Sequence, residues 1–95
     1  MKHCILVKWN KSVSDKHALV EEVKLVFNKL LEVDGIKHIS YHEGCVEKEN
    51  RFDLFITIEM DKSVLPVYDE SAAHHEWKEK YGKYVENKVI FDYEE

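Results

Sequence analysis

The stretch 52–60, Phe52-Asp53-Leu54-Phe55-Ile56-Thr57-Ile58-Glu59-Met60, decides how this chain is read. Phe52, Leu54, Ile56, Ile58 and Met60 alternate with Asp53, Phe55, Thr57 and Glu59, the period-two pattern of a β-strand with one dry face. Just before it, Ile36 to Val46 is a second strand region. Its end near Glu43-Gly44 and the polar run Glu47 to Arg51 read as a hairpin connection between the two. Further back, Leu19, Val23, Val26, Phe27 and Leu30 recur at helical spacing, with Ser14 as the expected N-cap, Asp15 in the first turn and Asp34-Gly35 as the stop.

The chain opens on another strand, Lys2-His3-Cys4-Ile5-Leu6-Val7-Lys8-Trp9, with His3, Ile5, Val7 and Trp9 on one face and Lys2, Cys4, Leu6 and Lys8 on the other. Apolar groups on both faces imply that both are covered. After the 52–60 strand, Ser63 is expected to cap a short helical turn through Tyr68, with Pro66 tolerated in the first turn. Ser71 then caps a helix from Ala72 to about Tyr84 that sets His74, Trp77, Lys78 and Tyr81 along one stripe, and Lys88 to Tyr93 forms the last strand. The order is βαββαβ, an α+β arrangement in which a four-stranded antiparallel sheet carries its helices on one face. The other face needs cover, and a second copy across a two-fold axis supplies it, so a homodimer is expected.

Composition limits what such a domain does. Ninety-five residues, 44% of them hydrophobic and 35% charged, fit one compact domain over 1–95. The longest apolar runs, Cys4 to Val7 and Leu54 to Ile56, are far short of a ~20-residue membrane span, and a cytoplasmic protein with no membrane partner is expected. Formal net charge is −5 with lysines interleaved among acids, which argues against nucleic acid as a partner. The two cysteines, Cys4 and Cys45, read as reduced thiols.

Six histidines raise the question of a metal, and the spacing answers against it. His75-Glu76-Trp77-Lys78-Glu79 lacks the second histidine of an HExxH site. His38 and His42 share a strand face but stand ~13 Å apart at ~3.3 Å per residue. No metal and no cofactor are expected. A glycine-rich phosphate loop and an activated Ser or Cys constellation are also missing, which ranks nucleotide and acyl-transfer chemistry low.

Three segments together resemble the stress-responsive A/B barrel (Dabb) family: Lys2 to Trp9, Tyr68-Asp69-Glu70-Ser71-Ala72-Ala73-His74, and Ile90-Phe91-Asp92-Tyr93. The resemblance runs over essentially the whole chain. It implies a ferredoxin-like βαββαβ protomer forming a dimeric α/β barrel, in a family of mostly uncharacterised members that includes plant stress-induced proteins and olivetolic acid cyclase. Carried over from that cofactor-free cyclase, His74 is the general base, Tyr68 the hydrogen-bond donor, and His3 lines the same pocket. Ile5 and Val7 on the first strand, with Trp77 and Tyr81 on the last helix, complete the candidate ligand-binding set, although Trp77 and Tyr81 fit core or dimer packing better than a ligand platform. Where the family reads Tyr-x-x-His-Pro-x-His, this chain has Ser71 and Ala72 in place of the first His and the Pro, and helix one has no aromatic in its first two turns. The cyclase substrate therefore does not carry over.

Geometry supports part of the transfer. Residues six apart on one helix are ~600° apart, about 120° from sharing a face, so Tyr68 and His74 converge only across a helix break, which an N-cap at Ser71 supplies. Neutral imidazole can take a proton at cellular pH, and a phenol can steady an enolate oxygen. Three function classes stand side by side. The first is a non-catalytic dimer holding a small apolar or aromatic ligand. The second is a cofactor-free cyclase, isomerase or lyase working through His74 and Tyr68. The third, by fold analogy alone, is a haem-binding or monooxygenase-like dimeric barrel with His74 or His75 as ligand.

Overall fold

The computed structural model describes residues 1–95. Strand β1 (Lys2–Trp9) leads into α1 (Lys16–Asn28), then β2 (Ile36–Glu43), β3 (Leu54–Met60), α2 (Leu65–Glu70), α3 (Ala72–Glu76) and β4 (Val85–Tyr93). The strands form one antiparallel sheet in the order β2-β3-β1-β4. The element order is the expected βαββαβ, with the second helical region in two pieces.

The register explains which residues meet. Ile5 of β1 lies opposite Ile56 of β3 on one side and Ile90 of β4 on the other, so the three share a face. That face packs against the helices. His3, Ile5, Val7 and Trp9 are buried, as are Leu54, Ile56, Ile58 and Met60. Except for His3 they join Leu19, Val20, Val23, Val26, Phe27 and Leu30 in one continuous core.

Several local expectations need correction. The N-cap of α1 is Asp15, whose carboxylate accepts the Ala18 N–H at 3.0 Å; Ser14 lies one residue too early to reach it. The α-helix ends at Asn28, a 3-10 turn continues over Lys29–Glu32, and Gly35 at φ 94° makes the reversal into β2. A Cβ on Gly35 would collide with Val64, so the turn needs glycine for space as well as for its backbone angle. Ser63 caps nothing: it sits inside a 3-10 turn, Lys62–Val64, that has no side-chain cap. The region expected as one helix from Ala72 to Tyr84 is α-helical only to Glu76, then widens into a π turn at Trp77–Tyr81 and tightens at Gly82–Tyr84. Strand β4 consequently starts at Val85, three residues earlier than expected.

The opposite sheet face is bare. Leu6, Phe55 and Val89 form one cross-strand row, and Cys4, Thr57 and Phe91 the next. Phe91 is 66% exposed and stacks on Tyr93 with 6.1 Å between ring centroids. Cys4 and Cys45 are both free, one buried in β1 and the other exposed in the loop after β2. No helix is long and apolar enough to cross a membrane.

Candidate functional site

A cavity of about 290 Å³ lies between the helix-facing sides of β1 and β4 and the α2–α3 junction. Its chemistry is set by the break at Ser71. This residue is extended (φ −65°, ψ 151°), ending α2 and starting α3. Its hydroxyl donates to the Tyr68 carbonyl at 2.7 Å and accepts the His74 N–H at 3.1 Å. The two rings that one helix would have splayed apart face each other, 4.7 Å between centroids. From β1, His3 adds its ring edge to Tyr68 at 5.0 Å. The three polar rings thus form a row across the cavity.

Two of the three rings are held by hydrogen bonds. His74 Nδ1 lies 3.0 Å from the Asp69 carbonyl oxygen, which can only accept. Nδ1 therefore carries the proton, and in the neutral ring Nε2 keeps its lone pair. Burial is the main force that pushes the His74 pKa below the ordinary histidine value, with Lys78 and Lys88 adding to it against the Asp69 carbonyl. Tyr68 is 1% exposed, and burial pushes its pKa well above the usual phenol value, helped by Asp69 and Asp92. Its hydroxyl stays protonated at every physiological pH and is a donor. His3 donates from Nδ1 to the Asp92 carboxylate, a pairing fixed by register, since the two residues stand opposite each other on β1 and β4.

The structure brings together His3, Ile5, Tyr68, His74 and Trp77 around this cavity. Two expected members lie elsewhere. Val7 is fully buried in the core one row further along β1 and does not reach the cavity. Tyr81 lies in the π turn, stacks on Trp77 at 6.2 Å and does not line the cavity. Trp77 is also braced edge-on by Phe27 at 5.4 Å. Sequence reasoning missed four lining residues that matter chemically: Asp92, Lys78, Lys88 and Ile90. The signal for Lys88, Ile90 and Asp92 was the β1–β4 register, which sets them on the helix side, whereas Lys78 already stood on the stripe with His74 and Trp77. No cluster of three metal-ligating side chains occurs in the structure.

No family model and no curated protein matches this sequence. Solved structures do. A dimeric protein of unknown function from Bacteroides fragilis superposes with a TM-score of 0.82 at 17% identity, covering 99% of this chain and 94% of the other. The chain has a ferredoxin-like fold. A Dabb family protein of ferredoxin-like fold from Mesorhizobium loti gives a TM-score of 0.75 at 12% identity, covering 99% and 94%. The hydroxynitrile lyase of Passiflora edulis gives 0.74 at 11%, covering 97% and 89%. At these identities the shared property is the ferredoxin-like architecture.

Proposed function

We propose that this protein is a homodimer of the Dabb type whose cavity binds a small carbonyl compound and moves a proton on it without a cofactor. The observation that carries the reading is the His74 tautomer: Nδ1 is committed to the Asp69 carbonyl, leaving Nε2 as the basic atom. Burial keeps that ring neutral, so it is ready to accept a proton at pH 7. In the step proposed, Nε2 takes a proton from the carbon next to the carbonyl. The C–H electron pair becomes the enolate double bond, and the carbonyl π pair moves onto oxygen, where the Tyr68 O–H donates to it. The imidazolium then returns the proton to the substrate, and no oxidant or metal is consumed.

The apolar wall of Ile5, Leu65, Trp77 and Ile90 suits a ligand with one ring or a short branched chain, and the volume lies at the small end of the range for such sites. That a lyase uses the same architecture in Passiflora edulis agrees with this assignment. Self-association is supported by the exposed Val89, Phe91 and Tyr93 on the open sheet face, and by three solved structures of the same fold described as dimeric.

The test is deuterium incorporation at the α-carbon of a panel of 2-oxo and 1,3-dicarbonyl compounds in heavy water, followed by proton NMR. Catalysed exchange that disappears in His74→Ala supports the reading. Equal exchange by wild type and His74→Ala, or binding of the panel without any exchange, refutes the proton transfer, and the second result leaves a binding protein.

A further inference from the structure

Beyond the three rings, the cavity is lined by two cations that form no ion pair. Lys78 follows Trp77 in the helical region and Lys88 comes from β4, facing the helix side opposite Val7. They arrive from separate elements, yet both line the same 290 Å³ space. Both also act on the same ring, each lowering the His74 pKa through its charge.

Most lysines of this chain are held by carboxylates. Lys29 and Lys80 both bond Glu76 at 2.8 Å, and Lys16 bonds Asp53 at 3.0 Å. Lys78 and Lys88 make no ion pair. The acids beside them are otherwise engaged or out of reach: Asp92 accepts from His3, and Asp69, which also lines the space, pairs with neither lysine. In a chain of net charge −5, two free ammonium groups converging on the mouth of one cavity are the feature to explain.

We propose that Lys78 and Lys88 bind the carboxylate of the ligand, so that the site takes a carboxylate-bearing carbonyl compound, a 2-oxo or 3-oxo acid with an apolar or aromatic tail. This rests on the cavity being the ligand site, and it adds the substrate class. The parts fit one molecule. The tail lies on Trp77, Ile5 and Ile90, the carbonyl oxygen meets the Tyr68 hydroxyl, and the acid end is held by two charge-assisted hydrogen bonds at the rim. Electrostatics at the same place aids the chemistry, because cations near a developing enolate lower its energy while keeping His74 in its basic form.

The experiment uses phenylpyruvate and its neutral methyl ester as probes, with calorimetric affinity and heavy-water exchange measured for wild type, Lys78→Gln, Lys88→Gln and the double variant. Both lysines are exposed, so folding survives the changes; circular dichroism checks it, and a salt series on wild type gives a second measurement. The acid is expected to bind more tightly than the ester, to lose about three- to tenfold in affinity with each lysine removed, and to weaken as salt rises, while ester binding stays constant. Equal affinity for acid and ester, unaltered by the substitutions, overturns the carboxylate assignment and leaves the cavity standing. Failure of both probes to bind any form of the protein overturns the cavity reading itself.

Discussion

The Ser71 hydroxyl accepts the backbone N–H of His74 at 3.1 Å, and the same oxygen donates to the Tyr68 carbonyl at 2.7 Å. One small side chain thereby sets the angle between the two residues that carry the proposed chemistry. Ser71→Ala should lower unfolding free energy by about 1 kcal/mol in urea titration. Ligand affinity should fall further than that loss alone explains. Ser71→Asp restores the cap acceptor but not the bond to Tyr68, so it should recover stability and leave affinity low. Full recovery of affinity by Ser71→Asp would show that the cap alone matters.

Because burial lowers the His74 pKa, the ring holds its lone pair down through the ordinary histidine range. Catalysed exchange should therefore be flat from pH 8 to about 6.5 and decline only below that. An inflection above the ordinary histidine value contradicts the assignment. The same shift affects stability. The unfolded chain protonates this histidine at higher pH than the folded one, so acidification through that interval favours unfolding. His74→Gln should remove that contribution.

Tyr68 acts through its O–H alone. Tyr68→Phe keeps the buried ring and removes one donor to the enolate oxygen, so the exchange rate should drop about a hundredfold at most modest cost in thermal stability. The wild-type rate should also show no upward break near pH 10, since burial holds the phenol protonated there. A rate unchanged in Tyr68→Phe would place the donor elsewhere.

Phe91 is 66% exposed on the edge strand β4, on the bare sheet face. Phe91→Lys should convert the proposed dimer to a monomer in sedimentation velocity at micromolar concentration while leaving the circular dichroism spectrum unchanged. A wild-type monomer at that concentration would rule out the dimer directly.

Phe27 braces Trp77 from α1 and is 1% exposed. Truncation to Ala should cost about 3–5 kcal/mol of stability by denaturant titration. It should also loosen the Trp77 wall, seen as weaker binding of aromatic probes relative to aliphatic ones.

The alternation Leu54-Ile56-Ile58-Met60 was legible because every second side chain does enter the core, and the cap at Ser71 because a serine hydroxyl followed three residues later by a free N–H is a local device. Asp15 and Ser14 were not separable by type, as both are good caps; which one reached Ala18 depended on where α1 began. Tyr81 falls outside the lining because its stripe assumed a regular helix, whereas Trp77–Tyr81 is a π turn. Val7 shares a face with Ile5 but stands one row further along β1, outside the cavity lining. Lys78 was legible on the stripe it shares with His74, but Asp92 and Lys88 could not be assigned to the site, since which residue of β4 stands beside which residue of β1 is a long-range fact that neither segment encodes alone.

That pairing has a further consequence for how the protein comes into being. His3 and Asp92 are separated by 89 positions, and the strands carrying them are neighbours in the middle and at the edge of the sheet. During synthesis β3 can pair with one edge of the first strand once Met60 has been made, but the other edge stays open until β4 follows. The cavity is then the last part to be built, and closing so long a loop makes its assembly slow. A protein that binds ligand has by that fact finished folding, and the interval before then is when it is most exposed to aggregation.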